Sequence, residues 1–444
     1  MPGSDKRTQK ESTMPASELR HPGAWRTVWI LALVWAMAML DRLILLLLVP
    51  GIKASMALSD TEVSLLYGLA FAICFSVVGI PLGHLVDRWN RRNLLLAGML
   101  GWSAATLACA LSHDFWTFFA ARMVLGAFQA VLAPAAISIV ADLFPTEQRG
   151  KPTALLLAAS MFGGALANFV GGALLDHFAD HQPVLPLVGR LAAWQLALFG
   201  AGLFSLIATP LLLLVHEPPR ESATIGIGES FGMIAHVRRH GAMFLLLFAA
   251  FVVIAVAGNG VGNWWPAVFM RQSGLTPTET GVVLGSVSLI GGIGAAVIGG
   301  ALSDWAARRD PRTGRLKLTA VALVGQMIVL LPLLQPQFVP GIVIALSISV
   351  VLSGVVGAAC YSLLPDLVPP QGRGLLIAMY QFVGNLIGFG LGPTAVALVT
   401  NEVLRAETRV AEAMMLFGLP IYALAGVFVL LAAPAVRRMR AAAA

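Results

Sequence analysis

Apolar residues run along this chain in long blocks, without the short alternation of strands. Each block approaches the ~20 residues that a helix needs to cross a bilayer. Twelve such blocks begin near Thr27, Glu62, Asn93, Phe115, Pro152, Gly189, Gly241, Gly281, Lys317, Gly341, Leu375 and Ala411, with polar residues crowded into the connections. The pattern predicts an all-α integral membrane protein with twelve transmembrane helices. The first block follows a polar, basic segment. It is too long for a signal-peptide core and lacks a small-residue cleavage site, so it is expected to remain as a span. The longest internal connection, Val215 to His240, carries His216, Glu217, Pro218, Pro219, Arg220 and Glu221 and divides the spans six and six. Five segments follow: a tail over 1–26, a six-helix bundle over 27–215, a linker over 216–240, a second bundle over 241–434 and a tail over 435–444.

Composition sharpens this. Of 444 residues, 58% are hydrophobic and 11% charged, and mean hydropathy is +0.83. Soluble domains carry about 25% charge. So little charge cannot solvate a water-facing surface of this size, which excludes a soluble enzyme, a disordered regulator and a nucleic-acid-binding domain. The net charge of +7 does not reverse that, because the basic residues are spread among short loops. Of 29 Lys and Arg, 22 fall in the two tails and the even-to-odd loops, and only Lys53, Arg271, Arg405 and Arg409 fall opposite. The positive-inside rule then puts both termini in the cytoplasm of a multi-pass protein of the cell (inner) membrane. Cys74, Cys109 and Cys360 lie in apolar runs, and neither they nor the 8 histidines have metal-ligand spacing. No metal or other cofactor is expected.

The two halves repeat. Thr61-Glu62 recurs as Thr278-Glu279, and Gly83 with Asp87 as Gly300 with Asp304, at one offset of 217. Asp142-Leu143, Pro145 and Arg149-Gly150 recur as Asp366-Leu367, Pro369 and Arg373-Gly374, at an offset of 224. Parallel six-helix repeats with a site between them at mid-membrane are a transporter architecture. Asp41 is the only carboxylate well inside a span, where an ionisable group costs roughly 2.5–3.5 kcal/mol on insertion scales. Arg122 and Gln129 are seven residues apart and share a helix face with Gly126 between them. Arg42 follows Asp41 and points about 100° away around the helix. These residues predict one polar cluster in the N-terminal half. Asp41 would accept a proton and release Arg122 or Arg42, biasing two conformations; the competing role is a fixed buried pair that locks helices. In the C-terminal half, Asn259 and Asn263 beside Trp264 and Trp265, with Tyr361, Tyr380, Gln381 and Asn385, place uncharged polar groups on an apolar wall. Such a wall facing a charged one suits an amphipathic substrate, although helix packing alone also accounts for each residue. The chain has no nucleophile elbow, phosphate-binding loop or paired acid/base carboxylates. An enzyme and an ATP-driven pump are therefore not expected, and an ion gradient is the energy source.

The loop after span two reads Gly83-His84-Leu85-Val86-Asp87-Arg88-Trp89-Asn90-Arg91-Arg92. Its glycine permits close helix approach, Asp87 can accept bonds from a helix N-terminus, and the arginines can bind helix C-termini or carboxylates. A solvated cluster that only sets topology is the plainer role. With the two-fold repeat, this loop resembles the signature of the major facilitator superfamily over nearly the whole chain. The resemblance implies two pseudo-symmetric six-helix bundles. It also implies a cytoplasmic gate built from Gly83, Asp87, Arg88, Arg91, Arg92, Asp142 and Arg149.

Within the superfamily the chain is similar to bacterial homologues of the Spinster-like transporters, of lysolipid and sphingolipid type. The similarity rests on Leu40-Asp41-Arg42, Arg122-Met123-Val124-Leu125-Gly126-Ala127-Phe128-Gln129-Ala130, Ile139-Val140-Ala141-Asp142-Leu143-Phe144 with Gln148-Arg149, and Gly388-Phe389-Gly390-Leu391-Gly392-Pro393. Residues and resemblance together predict proton coupling at Asp41, Arg122 and Gln129, and substrate contacts from Arg42, Arg122, Gln129, Asn259, Tyr361 and Tyr380. The expected partners are a small amphipathic, lipid-like solute, protons and membrane lipid, with no nucleic acid, and a monomer is expected. Spinster-like proteins carry Glu where Gln129 stands. Glutamine hydrogen-bonds but does not titrate, so altered proton coupling and a stronger pull on an anionic headgroup are expected. Gly163-Gly164 and Gly171-Gly172 in span five are similar to an antiporter glycine motif, but Ala167-Asn168 replaces its Gly-Pro, which weakens an antiport reading. A proton-driven multidrug exporter and a non-transporting membrane sensor of the same fold are the competing functions.

Overall fold

The computed structural model describes residues 23–179, 183–186, 189–219, 238–368 and 373–442. The N-terminal tail up to residue 22 and the linker over 220–237 lie outside the described residues. Twelve helices are long and apolar enough to cross a membrane. They are α1 (Ala24–Met56), α2 (Asp60–Val86), α3 (Arg91–Ala110), α4 (Phe115–Leu143), α5 (Gly150–His177), α6 (Ala193–Leu214), α7 (Gly241–Arg271), α8 (Pro277–Arg309), α9 (Gly314–Leu334), α10 (Val339–Leu367), α11 (Met379–Val403) and α12 (Glu407–Ala441).

Local chemistry explains where these helices begin. Ser59 and Thr276 cap α2 and α8, and each donates its own backbone N–H in return to the carboxylate of Glu62 or Glu279 three residues on. The Thr-Glu landmark repeated at an offset of 217 is thus a pair of capping boxes. Asn90 and Asp114 cap α3 and α4 through the backbone N–H of Asn93 and Thr117. The sixth span starts later than the hydrophobic block suggests. Gly189 has a φ of 87° and belongs to a short hairpin in which β1 (Val184–Leu185) pairs antiparallel with β2 (Gly189–Arg190). Pro183, Pro186 and that glycine break the helical run, and α6 begins only at Ala193. At the other end of the chain, the segment read as a tail continues α12 as helix to Ala442.

The packing repeats with the sequence. In the first half α1 lies on α5 and α6, α4 on α2 and α3, and α3 on α6. The second half reproduces every pair six helices later: α7 on α11 and α12, α10 on α8 and α9, and α9 on α12. Between halves the main contacts are α5 with α8 and α2 with α11. Three of those four helices contain π turns, at Leu65–Leu69 in α2, Val287–Gly291 in α8, and Gly384–Phe389 and Val399–Val403 in α11. Such turns break the regular ladder and recur at functional positions.

Close helix approach relies on glycine. A Cβ on Gly163 of α5 would meet the Ala36 backbone of α1, with the Ala36 Cα only 2.7 Å away. Gly163→Val should therefore lower stability by about 1–3 kcal/mol through overpacking. A fall in melting temperature in detergent checks this, with Gly150→Val, where the added Cβ meets open space, as the comparison that moves little.

Candidate functional site

Asp41 is fully buried on α1. Its Oδ2 accepts a hydrogen bond from Ser205 of α6 at 3.2 Å, while Oδ1 is buried without a partner. Arg122 of α4 is also buried; its Nε donates to the Leu66 carbonyl at 3.4 Å, and one terminal nitrogen has no partner. Gln129, on the same face of α4, donates to the Ala38 carbonyl of α1 at 3.3 Å. Gly126 between them brings α4 close to the backbone of Phe71 and Phe75 on α2. The shared face read from the seven-residue spacing is therefore real: one side chain reaches α2 and the other α1. Ser205 was missed, because a lone serine in an apolar span carries no signal until its neighbour is known.

Arg42 does not join this group. Its guanidinium carbon sits 4.4 Å from the ring centre of Phe71, 5.4 Å from Phe75 and 4.3 Å from Phe389. Phe71 and Phe75 belong to α2 and Phe389 to α11, so the cage is built from both halves. Desolvated cation–π contacts of this kind contribute up to about 2 kcal/mol. Arg122 also lies over Phe71, at 5.6 Å, so one ring serves two cations. Among the described residues Asp41 forms no ion pair with either arginine, and Arg42 is half-buried with no hydrogen-bond acceptor.

A cavity of about 290 Å³ lies between the halves. Leu43 and Leu46 of α1 and Asn168 of α5 line one side; Asn263, Trp265, Ser288, Ser349 and Ser353 line the other. It contains no charged side chain. Asn263 faces it, whereas Asn259 donates back to the Ala255 carbonyl of its own helix at 2.9 Å. Tyr361 of α10 and Tyr380 of α11 stack edge-on at 5.2 Å, and Tyr380 meets Phe251 of α7 at 4.9 Å. These tyrosines form an aromatic wall apart from the cavity lining.

At the end carrying the termini, Arg91 is the hub of the loop motif. It is buried and pairs with Asp142, with Glu217 at 2.8 Å, with the Ser138 hydroxyl at 2.9 Å and with the Pro218 carbonyl at 2.7 Å. Arg92 donates its backbone N–H to Glu217 at 2.9 Å. Arg149 closes the end of α4 on the carbonyls of Phe144 and Ala141, at 2.9 and 2.6 Å. Asp87 and Arg88 are exposed, and a Cβ on Gly83 would meet open space. The second half copies the arrangement at the offset of 224: Arg315 pairs with Asp366 at 2.7 Å and bonds the Ser362 carbonyl, and Arg373 bonds the Pro365 carbonyl at 3.0 Å. These arginines pair within their own half. Glu217, which ties the linker to the first half, was not singled out by its sequence.

The family model described as Major Facilitator Superfamily matches residues 31–393. An MFS-type efflux pump of Mycolicibacterium smegmatis (strain ATCC 700084 / mc(2)155) is 28% identical over 419 residues, covering 90% of this chain and 92% of that protein. Protein spinster homolog 1 of Xenopus laevis is 23% identical, covering 83% and 71%. The solved structure of a bacterial homolog to the human lysosomal transporter Spinster, inward-facing and occupied, superposes with a TM-score of 0.77 at 21% identity over 95% of this chain and 97% of that one. A D-xylose-proton symporter gives 0.67 at 19% identity, over 93% and 97%.

Arg91→Ala strips the cation from two carboxylates and should cost about 3 kcal/mol, whereas Arg88→Ala at an exposed position should stay within about 0.5 kcal/mol. Thermal unfolding of the two purified variants separates them; equal losses would remove Arg91 as the hub.

Proposed function

The chain belongs to the major facilitator superfamily, and we propose that this secondary transporter, a multi-pass membrane protein, moves an amphipathic, lipid-like anion by alternating access coupled to protons. The observation that carries the reading is Arg42: a half-buried cation without an anion, held by aromatic rings of both halves at the seam where they part. A phosphate or carboxylate headgroup is the partner this cation lacks. The uncharged cavity between α1, α7, α8 and α10 takes the apolar part of the solute. Binding there draws on both halves, so occupancy differs in strength between conformations, which is what transport requires. The resemblance of Leu40-Asp41-Arg42 and the Arg122–Ala130 stretch to Spinster-like transporters of lysolipid and sphingolipid type supports the lipid-like class.

Asp41 is the proton carrier in this reading. Its free Oδ1 takes the proton, and ionisation leaves a buried carboxylate in the same half as the open nitrogen of Arg122, a buried donor without a partner. Attraction then draws Arg122 from the Leu66 carbonyl. Gln129 takes part as a hydrogen-bonding spacer and leaves a single titrating site in the cluster. The bias of Lys and Arg towards the terminal-bearing side makes that side cytoplasmic and makes the hub arginines part of the cytoplasmic gate.

A second reading, export of unrelated hydrophobic drugs, is favoured by the name of the Mycolicibacterium relative. Proteoliposomes given anionic lysophosphatidylglycerol, zwitterionic lysophosphatidylcholine or a cationic dye, under an imposed pH gradient, distinguish the two. Uptake of the anionic lysolipid should dominate and fall at least tenfold in Arg42→Ala, about 1.4 kcal/mol or more. Dye transport insensitive to Arg42→Ala would favour the exporter.

Asp41→Asn should retain exchange across equal pH yet lose gradient-driven accumulation. Gln129→Glu should add a titrating group and shift the pH dependence of flux; an unchanged profile would show that position 129 takes no part in coupling.

A further inference from the structure

The end opposite the termini is closed by charge as well as by packing. Lys53, at the end of α1, donates to Asp60 Oδ1 and to Glu407 Oε2, both at 2.5 Å. Arg271, at the end of α7, grips Asp60 with two nitrogens, at 2.7 and 2.9 Å, and reaches the Glu407 carbonyl at 3.3 Å. Two partners come from each half. Asp60 is the centre, because its side chain is fully buried and takes three bonds from two cations. Among the described residues, Lys53–Glu407 and Arg271–Asp60 are the ion pairs that cross between halves.

The backbone around the quartet is also unusual. Among the described residues, the two non-glycine residues with positive φ, Ala57 at 53° and Arg405 at 50°, stand in the turns that deliver Asp60 and Glu407. L-residues rarely adopt this region, and it persists where the surroundings hold it. Beneath the quartet a neutral polar seam continues between α2 and α11. Asn401 donates to Thr61 and Ser64 to Thr394, each at 3.0 Å. A Cβ on Gly68 would come within 2.9 Å of the Phe389 carbonyl.

We infer that Lys53, Asp60, Arg271 and Glu407 form the outer gate of the transport cycle, with Asp60 as its keystone. The inference rests on the alternating-access reading. The halves cannot part at this end while Asp60 holds Arg271, so each cycle breaks and remakes that pair. Opening does not strand Asp60, because Lys53 belongs to its own half and stays with it. Arg271 keeps the Trp264 ring beneath it, 5.9 Å away. Such a gate is strong when shut yet can open without leaving its buried acid alone, which would be costly. Lys53 and Arg271 share this side with Arg190, Arg405 and Arg409, and the gate uses both.

The test reads conformation and needs no substrate. Spin labels at His113→Cys and Gln335→Cys, exposed positions on the two halves at this end, report the gate by pulsed electron spectroscopy, with Cys74, Cys109 and Cys360 replaced by alanine. The parent should show a short-distance population. Asp60→Asn and Arg271→Gln should each raise the long-to-short ratio at least about tenfold, since each removes the buried Asp60–Arg271 pair that spans the halves. Glu407→Gln, at the exposed rim, should change it less than about threefold. Arg409→Gln, whose partner Glu412 lies one turn along its own helix, should leave it unchanged. Arg271→Gln acts from the opposite half, so the result stands if Asp60→Asn fails to fold. A parent-like distribution in Arg271→Gln overturns the gate. A shifted distribution in a chain that carries no solute into vesicles would keep the gate and remove the transport reading instead.

Discussion

Hydrocarbon tolerates no polar group without a partner, and the structure follows from that constraint. Backbone groups meet it by forming helices, which is why long apolar blocks become α1 to α12. Side chains meet it less completely. Gln129 and Arg122 find backbone carbonyls, Asp41 finds one serine, and Arg42 finds three aromatic rings. Two of the buried atoms left without a partner, Asp41 Oδ1 and a nitrogen of Arg122, lie in the group proposed to move protons. A partly satisfied buried network is costly when static. In the proposed cycle an arriving proton would complete it.

The two-fold repeat extends that economy to the whole molecule. Each half solves the same packing problem with the same helix pairs, and each closes its terminal-bearing end with arginine on aspartate, Arg91 with Asp142 and Arg315 with Arg440 on Asp366. Those charges are satisfied within a half at that end. Between halves the contact narrows to α5 with α8 and α2 with α11. Charge crosses the divide only at the opposite end among the described residues, where Asp60 joins Lys53 and Arg271. An arrangement stitched at one end and self-contained at the other has a natural hinge.

The site divides charge from volume. The charged groups lie on α1 and α4, whereas the open volume is lined mainly by α7, α8 and α10 with hydroxyl and amide groups. Arg42 is the link, since its cage includes Phe389 of the second half and its neighbour Leu43 lines the cavity. The expected single cluster of Asp41, Arg42, Arg122 and Gln129 becomes two environments with Phe71 between them.

The sequence by itself determined what depends on short windows of chain. Hydrophobic blocks of about 20 residues give twelve spans because insertion and helix formation are decided locally. Offsets of 217 and 224 expose the repeat because capping boxes and loop arginines are local devices. The face shared by Arg122 and Gln129 follows from the helical period. Only the tertiary structure decided which side chains meet. Arg271 on Asp60, Ser205 beneath Asp41 and Glu217 on Arg91 lie far off in sequence, with Lys53 separated from Glu407 by 354 residues. Contacts of that range depend on how twelve helices pack, and the lipid constrains that packing only through the demand that buried charges find partners. Asp60 therefore reads in the sequence as one more residue at the start of a span, and becomes a keystone only when the second half closes over it.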